Sequence, residues 1–209
     1  PLALGLALLV RGQMRGRSIF RMIFFLPFVL SEVVVGVIWN FVYKPQGGLV
    51  NTLLQMISPN SEPTAWLATP NTVLYAVFVV IAWKYFGYHM TLYLAGLQNI
   101  PTELEEAAQI DGCSRLQALR YITIPLLGST IRLTIYLSVL GSLQLFDLVW
   151  VMTTGGPVGA SDTMATYLYK YGFQRFQLGY GSAIAVIMFA ICFGFSLIYQ
   201  RVVMRRDFE

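Results

Sequence analysis

Residues Glu103 to Leu126, with the sequence ELEEAAQIDGCSRLQALRYITIPL, form the longest interval without a strongly hydrophobic run between two segments that have one. Thr102 and Glu105 have the spacing of a capping box, which predicts that a helix begins here. On a helical wheel this helix has a small apolar face and an acidic face. The apolar face comprises Leu104, Ala107 and Ala108, with Ile110 at its margin, and the opposite face comprises Glu105, Glu106 and Gln109.

A turn and a second helix follow within the same stretch. Gly112 can adopt the left-handed conformation that ends a helix. Ser114 and Gln117 have the spacing of a second capping box, and the helix that they begin runs to Pro125. The stretch therefore predicts a helix, a glycine elbow and another helix between two membrane segments.

The composition is that of a membrane protein. Of the 209 residues, 56% are hydrophobic and only 11% are charged. The first apolar run, from Leu2 to Val10, is about half of the roughly 20 residues that a helix needs to cross a bilayer. Because basic residues follow this run instead of preceding it, it does not fit a secretory signal, and we expect a membrane helix truncated at its N-terminal side.

The remaining apolar runs predict an all-α integral membrane protein, a polytopic helical bundle that forms a single transmembrane domain over residues 1–209. The predicted segments are a partial span at 2–10, complete spans at about 19–43, 72–97, 126–152 and 182–203, and a loop at about 98–125.

The basic residues predict the orientation of these spans. Cytoplasmic loops of membrane proteins carry an excess of lysine and arginine. One set of termini and loops holds Arg11, Arg15, Arg17, Arg21, Arg115, Arg120, Arg201, Arg205 and Arg206, and the other holds Lys44, Lys170 and Arg175. We therefore expect the 98–125 loop and the C-terminus to be cytoplasmic. The cluster from Arg11 to Arg21 is interpreted as an orientation signal, and the net charge of +4 does not indicate nucleic-acid binding.

Catalytic and metal-binding motifs are missing from the sequence. There is no G-x-x-x-x-G-K-[ST] phosphate loop, and the single histidine, His89, has no partners at the spacing of a catalytic triad. Cys113 lies in the loop and Cys192 in an apolar span, so neither a disulfide nor a metal site is expected. The sequence does not predict an enzyme.

The loop resembles the EAA loop of permease subunits of bacterial ATP-binding-cassette (ABC) importers. The matching residues are Glu106-Ala107-Ala108, Asp111-Gly112 and Ile122-Thr123-Ile124-Pro125. The resemblance extends to the carbohydrate branch, with maltose-type and glycerol-phosphate-type permeases, through Trp39, Leu94 to Pro101, Phe146-Asp147, Gly155-Gly156-Pro157 and Gly179 to Ala183. Cys113 departs from this branch, which usually has alanine there.

This resemblance implies a type I ABC importer permease fold in the bacterial inner membrane and uptake of a sugar or oligosaccharide. It also implies a second permease subunit, two cytoplasmic ATPase subunits that use ATP and magnesium, and an extracytoplasmic substrate-binding protein, while this chain binds no cofactor. The residues expected to couple to the ATPase are Glu105, Glu106, Ala107, Ala108, Asp111, Gly112 and Pro125.

Other functions remain open at this point. Within the transporter class, the solute could be glycerol 3-phosphate or a polyamine, since the EAA loop is shared more widely than the substrate. A membrane-embedded enzyme or a self-contained channel would need polar groups in several spans, and the few intramembrane charges disfavour both.

Two charged residues, Glu32 and Lys84, lie near the middle of the membrane in adjacent predicted spans. A lone charge there costs about 2.5 kcal/mol or more, so each should face the bundle or a watery cavity. We predict an ion pair between them; the alternatives are that Lys84 pairs with Asp147 or with another subunit.

A candidate substrate path lies in the segment GSLQLFD, Gly141 to Asp147. Gln144 and Asp147 are three residues apart and are therefore expected on one face of the helix, where an amide and a carboxylate suit sugar hydroxyls. Phe146 could stack on a sugar ring. The alternative is that these groups bond to one another or to a neighbouring helix, or that Asp147 is solvated.

Overall fold

A computed structural model describes residues 1–11, 16–60 and 62–204. These residues form helices and connecting turns and contain no β-strand. The all-α prediction is therefore confirmed. Arg15, Arg205 and Arg206, which contributed to the predicted orientation, lie outside the described residues.

The helices vary widely in length. They are α1 (Leu2–Arg11), α2 (Arg17–Val29), α3 (Glu32–Val42), α4 (Leu49–Ile57), α5 (Pro70–Gln98), α6 (Thr102–Ile110), α7 (Arg115–Ala118), α8 (Ile124–Leu126), α9 (Gly128–Leu143), α10 (Asp147–Thr153), α11 (Met164–Leu168) and α12 (Leu178–Tyr199). Segments of π-helix at Leu119–Thr123, Tyr169–Gln174 and Gln200–Met204 continue α7, α11 and α12.

Within the described residues, two helices are long and apolar enough to cross a membrane by themselves, Pro70–Gln98 and Leu178–Met204. Two further pairs reach this length and hydropathy only when taken together, because each is bent. The pair α2 and α3 bends by 97°, and Arg115–Leu126 with α9 bends by 63°. Length and composition thus allow up to four spans.

The predicted spans at 19–43 and 126–152 are not continuous helices. In the first, α2 contains Pro27 and ends at Val29, and Ser31 caps α3 by accepting a hydrogen bond from the Val34 amide at 3.3 Å. Proline removes a helical hydrogen bond and serine offers a replacement cap, so the chain bends between them.

In the second span, α9 ends at Leu143 and α10 begins at Asp147. The Thr163 hydroxyl donates to the Leu145 carbonyl at 2.7 Å, which satisfies a backbone group that the break leaves without a helical partner. An apolar stretch can therefore contain a break that its hydropathy does not reveal.

The chain divides into two compact units, each with its own core. The first unit comprises Pro1–Leu26, Tyr85–Val139 and the chain from Gly194 onward, and the second comprises Pro27–Lys84 and Leu140–Phe193. In the first unit, α1 packs against α5 and Leu127 through the buried residues Ala3, Ala7, Met90, Tyr93, Leu94, Leu97 and Ile100. In the second, α3, α5 and α10 share a core of Val35, Tyr43, Val73, Ala76, Val77, Val80, Leu148, Val149 and Met152.

Within the first unit, α5 approaches the backbone of α2 at Gly87. A β-carbon at this position would lie 1.8 Å from the Phe24 carbonyl oxygen and 2.5 Å from its carbon. Only glycine permits this contact without a shift of backbone against backbone.

We predict that Gly87→Ala lowers the stability of the purified protein by about 1–3 kcal/mol, because the added methyl group overpacks the contact. Gly194→Ala is the matched control, since that glycine also lies inside a helix and a β-carbon there meets no atom within 4 Å. Thermal unfolding in detergent measures both variants. Equal midpoints for the two would contradict the close approach.

Candidate functional site

The loop between α5 and α9 folds as a helix, a glycine elbow and a second helix. Gly112 has a φ of +86°, and the Cys113 amide donates to the Ala108 carbonyl at 2.9 Å. The Ser114 hydroxyl accepts from the Gln117 amide, and the Gln117 side chain accepts from the Ser114 amide at 2.8 Å. The predicted elbow and second capping box are thus confirmed.

The first predicted capping box is wrong. The residue at the N-cap position of α6 is Pro101, which makes no side-chain capping bond. The Glu105 carboxylate instead accepts hydrogen bonds from Arg11 Nη1 at 2.5 Å and from the Thr123 hydroxyl at 2.6 Å. A charge-assisted bond to arginine is stronger than a bond to a neutral amide, so the carboxylate turns toward α1.

The predicted faces of α6 also need correction. Ala108 is buried and Glu105 is half-buried, so these two residues form the inward face. Leu104, by contrast, is 44% exposed and Ile110 is 86% exposed. A helical wheel ranks faces by hydrophobicity alone, and it cannot anticipate that an arginine on another helix draws an acidic residue inward.

The environment of Glu105 changes its titration. Burial raises the pKa of its carboxyl group, but the hydrogen bonds from Thr123 and Arg11, together with the positive charge of Arg11, outweigh this effect. The pKa of Glu105 therefore lies below its ordinary value, and the ionised form is favoured in the folded chain.

The other residues expected to couple to an ATPase lie mostly on the surface. Glu106, Ala107, Asp111, Gly112 and Pro125 are exposed. Beside them is an open groove of about 550 Å³, and the charged side chains that line it are Arg11, Glu105 and Arg115. A partner could therefore contact this loop without displacing the chain's own core.

Lys84 is buried, with 3% of its surface exposed. Its ammonium group donates hydrogen bonds to backbone carbonyls at the break between α2 and α3. It donates to the Leu30 carbonyl at 2.5 Å and to the Phe28 carbonyl at 3.4 Å. Glu32 is close enough to attract it electrostatically. The ion pair of Glu32 and Lys84 stays a prediction. The bonds from Lys84 to the backbone carbonyls were not predicted, because the sequence did not reveal the break between α2 and α3.

The structure does not place Gln144 and Asp147 on one helical face. Gln144 is in the turn after α9, and Asp147 is the first residue of α10. Both side chains are exposed. A carboxylate in the first turn of a helix is favoured by the helix dipole, which gives Asp147 a structural role.

Phe146, between these two residues, belongs to a group of three packed rings. Its ring centroid is 5.6 Å from that of Trp150, in a stacked arrangement, and 5.3 Å from that of Tyr169. Trp150 and Tyr169 lie 4.8 Å apart, edge to face. The sequence did not indicate Tyr169 as a partner, because it follows Phe146 only after the loop that contains Gly155 and Pro157.

An exposed helix, a glycine elbow and a second helix, lying between apolar helices of membrane-spanning length, are the features that the resemblance to ABC importer permeases predicts. The sequence model of the family described as binding-protein-dependent transport system inner membrane component matches residues 1–207. The chain belongs to this family.

The chain is similar to the probable ABC transporter permease protein YurN of Bacillus subtilis (strain 168), with 36% identity over 87% of this chain and 62% of the relative. It is 33% identical to the trehalose/maltose transport system permease protein MalF of Thermococcus litoralis, over 96% of this chain and 67% of the relative. The chain thus spans slightly less than two thirds of YurN.

A solved structure has the same fold. It is the crystal structure of a bacterial alginate ABC transporter in complex with an alginate pentasaccharide-bound periplasmic protein. The match has a TM-score of 0.88 and 25% identity, and it covers 98% of this chain and 72% of that chain. The type I permease fold expected from the EAA resemblance is confirmed.

We predict that Glu105→Gln destabilises the attachment of α6 by about 1 kcal/mol, because the amide loses the charge-assisted bond to a half-exposed arginine. Glu106→Gln on the same helix is the control, since Glu106 is exposed. Hydrogen exchange at residues 102–110 reports the change. Unaltered exchange in Glu105→Gln would show that the contact does not hold the helix.

The stabilisation that Glu105 gives to α6 should depend on pH. The folded-state pKa of Glu105 is below the ordinary value of 4.5, so the unfolded chain binds more protons in the acid range. The stabilisation is fully present above the ordinary value and is lost as the pH falls through the folded-state pKa. The difference in exchange between the native protein and Glu105→Gln should therefore shrink on acidification.

Proposed function

We propose that this chain is a transmembrane permease subunit of an ATP-driven importer for a sugar or oligosaccharide. The observation that carries the proposal is the exposed EAA-type loop in a chain that matches the family over residues 1–207. The substrate class is supported by the relative named for trehalose and maltose and by the alginate transporter structure.

The proposed assembly contains a second permease subunit, two cytoplasmic ATPase subunits and an extracytoplasmic binding protein that delivers the solute. ATP and magnesium are used by the ATPase subunits, and this chain binds neither. It lies in the bacterial inner membrane with its C-terminus in the cytoplasm, which the distribution of arginine favours.

The coupling step is a contact between α6 and the ATPase. Glu106, exposed beside Ala107, carries the negative charge that a basic residue in an ATPase cleft would bind. The Arg11 and Thr123 bonds to Glu105 fasten α6 to α1 and to the π-helical segment, so a displacement of α6 is passed to these helices instead of being lost in a flexible loop. Closure of the ATPase pair then switches the permease between two rigid arrangements.

The substrate path includes Gln144, which is exposed and precedes Phe146 by two positions in the sequence; Phe146 in turn packs with Trp150 and Tyr169. An amide both donates and accepts hydrogen bonds, as sugar hydroxyls do, and aromatic rings offer flat apolar surfaces to sugar rings. Asp147 contributes a further acceptor at the start of α10.

We predict that Glu106→Lys abolishes uptake and the stimulation of ATPase activity by the binding protein, because the reversed charge repels the basic residue on the ATPase. The measurement uses the assembled transporter in proteoliposomes. Glu62→Lys is the control, since it makes the same charge reversal at an exposed residue of the other predicted side. Normal ATPase association and uptake in Glu106→Lys would remove this assignment.

We predict that Gln144→Leu lowers transport efficiency several-fold, equivalent to about 1 kcal/mol for one hydrogen bond to a sugar hydroxyl, while ATPase stimulation is retained. Gln46→Leu, in an exposed turn outside the candidate path, is the matched control. Uptake is measured across sugar concentrations in proteoliposomes. Unchanged uptake in a correctly assembled Gln144→Leu transporter would exclude this residue from the path.

A further inference from the structure

A second cavity, of about 200 Å³, lies within the first unit, where α1 ends, α2 begins and α5 ends. Three arginines line it: Arg11 from the last turn of α1, and Arg17 and Arg21 from the first turns of α2. The ends of α1 and α2 thus place three arginine side chains around one space, and the end of α5 and the residues that follow it complete the lining.

The chemistry of the cavity is amphipathic. Its polar wall includes Gln98 and Thr102 as well as the arginines, and none of the described residues that line it is acidic. Its apolar wall consists of Leu94, Leu97 and Ile100, all of which are buried in the core of the first unit. The cavity is below the range of about 300–1,000 Å³ that drug-sized ligands occupy, so it suits a small charged group attached to something apolar.

The positive charge of the cavity is incompletely compensated. Arg11 is shared, because its Nη1 donates to Glu105 in the adjacent groove. Arg21 Nε is buried and has no hydrogen-bond partner within the described part of the chain. A buried donor without a partner is costly, and an anion beside the same guanidinium group offsets part of that cost.

The positive-inside rule accounts for the number of arginines in this connection but not for their convergence. An orientation signal requires only that the charges stay on one side of the membrane, where water can solvate each of them. Here Arg21 is half-buried with its Nε shielded from water, and its side chain lines one cavity together with two other arginines and two buried leucines. This arrangement has the character of a binding site.

We propose that this cavity binds the phosphate of an anionic phospholipid headgroup. Guanidinium groups bind phosphate oxygens through paired, charge-assisted hydrogen bonds. The cavity lies at the end of α5, a 29-residue helix of membrane-spanning length, which is the depth at which headgroups meet a bilayer-crossing helix. The buried leucines give the start of the lipid's apolar part a surface to contact.

The test uses the permease purified from its native membrane with the subunits that accompany it, stripped of lipid and titrated in native mass spectrometry. The probes are phosphatidylglycerol, phosphatidylcholine and inorganic phosphate. We expect phosphatidylglycerol to bind at least tenfold more tightly than phosphatidylcholine, and inorganic phosphate at millimolar concentration not to displace it.

Arg21→Gln and Arg17→Gln should each weaken phosphatidylglycerol binding by about tenfold. Arg17 is exposed, so its variant keeps the test valid even if the variant of the half-buried Arg21 fails to fold. Arg120→Gln is the control, because it removes one exposed arginine that does not line the cavity. It should leave lipid binding unchanged.

Three results would overturn the proposal. Equal binding of the two lipids would show that the arginines do not select an anionic headgroup. An equal loss in Arg120→Gln would show that general positive charge, and not this cavity, attracts the lipid. If millimolar inorganic phosphate displaced phosphatidylglycerol, and if Arg21→Gln weakened the binding of inorganic phosphate to the same extent, the ligand of the cavity would be a free anion and not a lipid.

Discussion

The contact on which the loop depends is the one between the Glu105 carboxylate and its two donors, Arg11 and Thr123. It joins α6 to α1, which is far away in sequence, and to the π-helical segment that leads to α8 within the same loop. An amphipathic helix of nine residues is marginal in isolation, so its position is set by such tertiary contacts. The bonds from Arg11 and Thr123 to Glu105 fix the position of α6, and they therefore also fix the position of the exposed Glu106 beside it.

A second constraint comes from the membrane. In hydrocarbon every backbone carbonyl needs a donor, and a broken helix leaves several without one. At the two breaks, side chains from elsewhere in the sequence supply donors: Lys84 donates to the Leu30 carbonyl, and Thr163 donates to the Leu145 carbonyl. The polar residues that appear out of place in an apolar sequence are therefore explained in part by the backbone, before any role in transport is considered.

Features set by neighbouring residues could be predicted from the sequence, and features set by distant ones could not. The Gly112 elbow and the capping box of Ser114 and Gln117 depend on a few consecutive residues, and both are present. The fate of Glu105 depends on a residue 94 positions away, so the local capping pattern was misleading. The shared face of Gln144 and Asp147 assumed an unbroken helix, and hydropathy does not report breaks that a side chain stabilises.

The Lys84 contacts also bear on the order in which the chain is made. Leu30 precedes Lys84 by 54 residues, so α2 and α3 leave the ribosome well before their ammonium donor exists. Until then, the Phe28 and Leu30 carbonyls that Lys84 bonds need other donors, such as water. The corner between α2 and α3 is thus completed only after the part of α5 that contains Lys84 has been made.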